Sequence, residues 1–271
     1  MERTVLITGC SSGIGRATAR AYLSEGWTVY ATARDTADIG DLADVGAEVR
    51  ELDVTRPAQC NDVVEDVVEA EGRLDVLVNN AGYAQFGPLE DVPTREVHRQ
   101  FDVNIYGPHR LLRAALPHMR EAGEGTIVNV SSVTGRLATP GMGVYGGSKF
   151  ALEAMSDALR GEVKRFGIDV VLVEPGPVET NFDERARAEV QDLDATGAYE
   201  ALYDTYEDYT AVSGVGAVSP AEVAAVVLEA GVSTDPDPRY PVGRVAEYAM
   251  LGRFVPDRWR DAVYSLVQRL P

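Results

Sequence analysis

The 271-residue chain, 45% hydrophobic and 25% charged, has the make-up of a globular protein with one large core, which excludes a disordered or fibrous chain. Aspartate and glutamate number 43 against 25 lysines and arginines, a formal net charge of −18, so nucleic acids and anionic membrane surfaces would be repelled. Only Lys149 and Lys164 are lysines; a carboxylate-rich, lysine-poor surface suits a salt-loaded cytoplasm, and an acidic protein from an arginine-favouring genome is the alternative. No apolar run reaches the roughly 20 residues that cross a bilayer, and no charged-then-apolar leader precedes Val5, so a cytoplasmic location is expected. Cys10 and Cys60 make neither a disulfide framework nor a metal cluster and are expected to be reduced.

Val5-Leu6-Ile7 reads as a buried parallel strand, and Thr8-Gly9-Cys10-Ser11-Ser12-Gly13-Ile14-Gly15 as a glycine turn opening into a helix over Arg16 to Leu23. Free N–H groups and the positive end of the helix dipole make such a turn an anion site. Gly9 permits the exit from the strand, Gly13 a close approach of pyrophosphate, and Gly15 close packing of helix on sheet. Taken alone, the turn could also be purely structural. A second strand, Trp27 to Ala33, ends on Arg34-Asp35. An arginine there pairs with a 2′-phosphate, whereas an acidic residue binds ribose hydroxyls, so NADP(H) is favoured and NAD(H) is the alternative. Arg34 as a merely solvated loop residue is the bland reading.

Further strands are expected over Ala47 to Leu52, Leu74 to Val78, Gly125 to Val130, Ile168 to Val173 and Arg239 to Val242. Helix-length segments run from Pro57 to Glu71, Thr94 to Glu121 and Tyr145 to Phe166. This alternation predicts one α/β domain, a doubly wound parallel sheet of about seven strands with helices on both faces. Ligands of such sheets sit beyond the strands' carboxyl ends. There the chain places Asp53-Val54 after the third strand, Asn79-Asn80-Ala81-Gly82 after the fourth and Ser131-Ser132 after the fifth. Tyr145 and Lys149, four apart, fall on one helix face with stems about 6 Å apart. A phenol is a poor base at neutral pH, but a neighbouring ammonium favours its phenolate.

These motifs together resemble those of the short-chain dehydrogenase/reductase (SDR) family, a Rossmann-type fold. Thr8 to Gly15 matches its glycine motif, Asn79 to Gly82 its Asn-Asn-Ala-Gly motif and Tyr145 to Lys149 its Tyr-x-x-x-Lys motif, over roughly residues 3 to 181. Asn104 and Ser132 complete the catalytic tetrad that the resemblance implies. Within it, Tyr145 is the general acid/base and Ser132 hydrogen-bonds the reacting oxygen. Lys149 holds the nicotinamide ribose and lowers the pKa of Tyr145, and Asn104 anchors a water relay on a helix that it kinks. Asp53 is expected near the adenine amino group, Asn80 to Gly82 along the adenosine ribose, and Pro175, Gly176, Val178 and Thr180 around the carboxamide. Ser11 and Ser12 join Arg34 at the 2′-phosphate. The implied activity is NADP(H)-dependent interconversion of a carbonyl and a secondary alcohol, on a hydrophobic alcohol, ketone or aldehyde. Tyr240-Pro241-Val242-Gly243-Arg244 and Thr32-Ala33-Arg34-Asp35 are similar to the steroid- and retinol-dehydrogenase-like subgroup. The resemblance further implies a substrate lid over 181–217, a C-terminal helical extension over 244–271 and a homodimer or homotetramer. Gly146-Gly147 departs from the family pattern and would loosen the helix start.

Other features carry bland readings. His98, His109 and His118 lack partners at ligand spacing, so no metal site is expected. Leu112, Leu116 and Met119 read as core or subunit contacts, and Tyr199, Tyr203 and Tyr206 as a helix stripe or a pocket wall. Leu152, Met155, Leu159, Val163 and Phe166 are expected to face the sheet, leaving Ala154 and Ala158 for a second subunit. Two functional alternatives remain: a non-catalytic NAD(P)-sensing regulator, which has no need of Ser132, Tyr145 and Lys149 together, and a sugar-nucleotide epimerase or dehydratase, whose glycine spacing differs.

Overall fold

Every apolar run predicted as a strand is one. The computed structural model describes residues 3–180, 182–203, 216–252 and 254–267. Its strands are β1 (Thr4–Ile7), β2 (Thr28–Ala33), β3 (Glu48–Glu51), β4 (Val76–Asn79), β5 (Gly125–Val130), β6 (Ile168–Pro175) and β7 (Arg239–Val242). They form one parallel sheet in the order β3-β2-β1-β4-β5-β6-β7, the doubly wound Rossmann arrangement. The chain winds outward from β1 to β3, then returns to β4 and winds the other way, so a crevice opens where β1 and β4 part.

The helices are α1 (Gly13–Ser24), α2 (Gly40–Ala43), α3 (Pro57–Glu71), α4 (Thr94–Phe101), α5 (Gly107–Ala122), α6 (Gly143–Val163), α7 (Phe182–Gln191), α8 (Pro220–Val232), α9 (Arg244–Gly252) and α10 (Asp257–Val267). Val5 and Ile7 pack on one side of the sheet with Ala19 and Tyr22 of α1 and Val223 and Val227 of α8. Leu6 points to the other side, among Val63 and Val67 of α3, Leu111 and Met119 of α5 and Val163 of α6. Burial on both faces is why these strands read as unbroken apolar runs. Among the described residues no helix is long and apolar enough to cross a membrane. Cys10 and Cys60 are buried free thiols.

Two polar devices fix the strand ends. The Thr8 hydroxyl accepts the N–H groups of Asn80 (3.0 Å) and Ala81 (2.9 Å), while the Asn80 amide donates to the carbonyls of Thr8 (2.8 Å) and Gly9 (3.1 Å). Asn79 donates to Asn129 (2.8 Å), and Asn129 donates to the Ser156 hydroxyl of α6 (2.9 Å).

The segment expected as one long helix from Thr94 is α4 and α5 joined by a π turn, Asp102–Tyr106, in which the Gly107 N–H reaches back to the Asp102 carbonyl. Pro108, with no N–H, follows it. Leu112 and Met119 are core, and Leu116 packs against it. One expectation for α6 fails. Leu152 and Val163 are buried and Leu159 and Phe166 pack beside them, but Met155 is 37% exposed. The inward ridge runs Leu152, Ser156, Leu159, Val163 because Asn129 needs the Ser156 hydroxyl; Met155 is turned outward with Ala154 and Ala158.

Gly146 and Gly147 do not delay the helix, which begins at Gly143. A Cβ on Gly147 would meet nothing within 4 Å, and the position is exposed and helical. Gly147→Ala should therefore stabilise the fold by ~0.5–1 kcal/mol, read as a raised midpoint in thermal or urea unfolding. An unchanged or lowered midpoint would contradict this account of the position.

Candidate active site

Beyond the carboxyl ends of the strands lies a cavity of about 810 Å³. Its floor is the glycine turn, with Gly9, Ser11, Ser12, Gly13 and Ile14; Arg34 follows β2, and Asp53 and Val54 follow β3. Asn80, Ala81 and Gly82 follow β4, Ser132 follows β5, and Tyr145 and Lys149 project from α6. Pro175, Gly176, Val178 and Thr180 close the far wall. Gly15 and Asn104 are not on this surface. Gly15 lies beneath it, where a Cβ would strike the Gly9 carbonyl and the Asn80 amide, so only glycine lets α1 seat against the turn. Asn104 is 1% exposed, one layer behind.

The end near β1 and β2 suits the phosphates and adenosine of a dinucleotide. Ser12 makes no side-chain cap to α1, so the first-turn N–H groups and the positive end of the dipole are left for a ligand. Asp35 is committed elsewhere: its carboxylate caps the turn at Thr36–Ile39 by accepting the Ala37 N–H at 2.9 Å. Arg34 stands exposed on the rim. Burial pushes the Asp53 carboxyl up, but the Thr55 N–H and hydroxyl and the cations of Arg56 and Arg34 hold it below its usual range. Deeper in, the hydroxyls of Ser131 and Thr134 are buried on the wall with no partner in the protein. Orphaned groups of this kind fit a polar ligand.

At the other end, Tyr145 is 7% exposed, with its ring 5.9 Å from Phe86 and 5.7 Å from Phe182, centroid to centroid. The Lys149 ammonium lies 5.8 Å from the Tyr145 ring and donates to the Val130 carbonyl at 2.8 Å. Burial pulls this ammonium down to about 8, and the negative charge of Glu153 one turn along resists the fall. Ser132 caps the turn Val133–Gly135 by accepting the Thr134 N–H at 3.2 Å, which leaves its own proton to donate. Asn104, aimed by the π turn, accepts the Tyr83 N–H (3.2 Å) and donates to the Tyr83 carbonyl (3.0 Å) and the Ser148 hydroxyl (3.2 Å).

Some lining residues escaped the sequence reading. Phe86, Met142 and Ala186 join Phe182 in an apolar wall around Tyr145. Phe86 lies four residues past Gly82 and Met142 three before Tyr145, so distance from the motifs could have flagged both. The rim pair of Arg99 and Glu189 (3.0 Å) joins residues 90 apart and has no local signature.

Residues 3–191 match the family model for short chain dehydrogenase. The chain is 35% identical over 265 residues to the uncharacterized oxidoreductase YbbO of Escherichia coli, covering 97% of this chain and 94% of that one. It is 39% identical over 204 residues to 3-ketodihydrosphingosine reductase of Bacteroides thetaiotaomicron, 74% of this chain and 72% of the relative. A short-chain dehydrogenase structure from Streptomyces avermitilis superposes with a TM-score of 0.84 at 35% identity, covering 99% and 98% of the two chains. A Burkholderia phymatum SDR in complex with NAD gives 0.79 at 27% identity, covering 100% and 96%. ElxO with NADP bound gives 0.75 at 26% identity, covering 89% and 97%.

Proposed function

Since the chain belongs to the short-chain dehydrogenase/reductase family and is an NAD(P)-dependent oxidoreductase, we propose that it interconverts a carbonyl and a secondary alcohol, with NADP(H) preferred. The observation that carries this reading is the convergence of Ser132, Tyr145 and Lys149 on the cavity that the glycine turn floors. The nicotinamide, when bound, supplies or takes the hydride. Tyr145 gives or takes the proton at the substrate oxygen, and Ser132 donates a hydrogen bond to that oxygen as charge develops on it. Lys149 favours the phenolate and holds the cofactor's ribose. Asn104 anchors a proton path from Lys149 outward.

The cofactor preference rests on Arg34 standing exposed at the rim while Asp35 is spent on a cap. One solved relative carries NAD and another NADP, so the difference must lie in such local chemistry. The substrate, judged from Phe86, Met142 and Phe182 around Tyr145, is hydrophobic; the name of the Bacteroides relative favours a ketone on a lipid chain within that class. The segment 181–217 is the lid. Val178 pairs with Val218 at its base, Tyr199 donates to Glu90 (2.6 Å), Tyr203 donates to Asp91 (2.9 Å), and Arg99 pairs with Glu189. Tyr206 and Tyr209 lie outside the described residues. The C-terminal extension, helical over Arg244–Gly252 and Asp257–Val267, flanks the opening through Val245, and Tyr264 donates to the Ala138 carbonyl (2.7 Å). A homodimer or homotetramer forms mainly through the helices beginning near Thr94 and near Tyr145; on the outer face of α6, Phe150, Ala154, Met155 and Ala158 are exposed. The acidic surface is an adaptation to salt.

Titration of both cofactors should show NADP(H) bound more tightly than NAD(H). Arg34→Ala should weaken NADP(H) about ten- to a hundredfold, the worth of one charge-assisted contact. An NAD(H) preference, or an unaffected variant, would reverse the assignment. On a substrate found by screening ketones, aldehydes and secondary alcohols, Tyr145→Phe should abolish turnover at least a hundredfold while still binding cofactor, and Lys149→Ala should damage both. Near wild-type turnover in Tyr145→Phe would remove Tyr145 from the chemistry. Light scattering should find an oligomer at molar KCl that loosens at low ionic strength, as subunits of charge −18 repel. A monomer at molar salt would refute the assembly, and indifference to salt would refute the halophilic reading.

A further inference from the structure

Behind the Tyr145–Lys149 face of α6 lies a cluster of buried charge that the chemistry above does not use. Glu153, one turn past Lys149, is 4% exposed, and Glu174, directly before Pro175 on β6, is wholly buried. Arg239 of β7 reaches Glu153 at 3.2 Å and Glu174 at 3.3 Å, and Arg136, four residues past Ser132, reaches them at 3.6 and 3.7 Å. Asp157, a turn further on, pairs with Arg239 at 2.7 Å and with Arg160 at 2.8 Å. Two carboxylates can stay this deep only because two guanidinium groups match them. Burial and the nearness of Glu153 push the Glu174 carboxyl up, against the pull of Arg136 and Arg239.

The cluster also touches three separate parts of the site. Gly135, in the turn capped by Ser132, presses on α6 so closely that a Cβ would lie 3.1 Å from Glu153 Cγ and 3.2 Å from the Lys149 carbonyl carbon. Arg136 continues that turn, and Glu174 is the last residue but one of β6, next to Pro175, where the Pro175–Thr180 wall begins. Around Lys149 itself stand the Val130 carbonyl from β5 and, on its own helix, the Tyr145 ring and Glu153. Glu153 is the anionic side chain of that set.

We propose that Glu153 is a positioning residue for the Tyr145–Lys149 pair: a carboxylate clamped by Arg136 and Arg239 that keeps Lys149 cationic inside a closed site and holds the Ser132 turn and the Pro175 wall to the same helix. The proposal rests on the role given above to Lys149. Glu153 acts through Lys149 and touches neither substrate nor cofactor.

The test is the pH dependence of stability in the cofactor-free protein. Lys149 titrates at about 8 when folded against 10.5 in its ordinary state, so the unfolded chain binds more protons between those values and stability rises with pH through that window. Each chain is compared with its own Lys149→Met version, which cancels the opposing titration of buried Cys10 and Cys60. Glu153→Gln removes the anion one helix turn from Lys149, so the rise should begin about one pH unit lower, and the alkaline limb of turnover should move the same way. Arg136→Gln should move both upward, because it removes a cation from the same cluster; it also keeps the test open if Glu153→Gln does not fold. A purely mechanical clamp would lower stability equally at every pH in both variants, and unmoved onsets would overturn the proposal. If Lys149→Met kept its turnover, the catalytic reading of Lys149 would fall by itself, and the stability onsets would still decide whether Glu153 sets its charge.

Discussion

Two side chains, Thr8 and Asn80, take up the backbone groups that a parallel sheet leaves unpaired where its two central strands diverge. Without them the N–H groups of Asn80 and Ala81 and the carbonyls of Thr8 and Gly9 would lose these partners at the floor of the crevice. The exchange pins the glycine turn to the end of β4, and thereby sets the height of the α1 N-terminus above the sheet. Gly15 is needed in that geometry because the Asn80 amide occupies the space that any side chain would take. The Asn79–Asn129–Ser156 line continues the same logic one strand further and carries it to α6, which bears Tyr145 and Lys149. The glycine turn and Tyr145, far apart in the chain, are thus held to one frame by side-chain amides as well as by apolar packing.

How far this could be read from the sequence depended on whether a feature is local. The strands were legible because burial on both faces leaves uninterrupted apolar runs such as Val170-Val171-Leu172-Val173. That Tyr145 and Lys149 reach the cavity together was legible because they share one helix face by spacing alone. Met155 was misplaced for a related reason: a hydrophobic stripe gives no hint that the inward position belongs to Ser156, whose hydroxyl is claimed by an asparagine on a distant strand. The Arg99–Glu189 pair and the clustering of Glu153, Glu174, Arg136 and Arg239 were illegible because each exists only through long-range closure of the sheet.

Polar chemistry is unevenly distributed through the molecule. The surface carries a large excess of carboxylate, yet around Glu153 and Glu174 positive and negative groups are matched almost one for one. Screening by salt reaches the first population and not the second. Ionic strength therefore acts on how copies of the chain meet, whereas the interior charges respond only to protons.

The π turn at Asp102–Tyr106 acts as a phase shifter. One extra residue in the turn rotates α4 by about 100° relative to α5, beyond what a regular helix would give. α5 keeps its ridge of Leu111, Ala115 and Met119 on the core, while α4 brings Arg99, which stacks on the Tyr83 ring, to the mouth of the cavity and buries Gln100 behind it, where it holds the backbone of Tyr83 and Gln85. A single-residue deletion here would swing the whole pocket-facing helix out of register with α5. One helical rod can therefore carry two independent sequence patterns, one bound to folding and the other free to drift with the ligand.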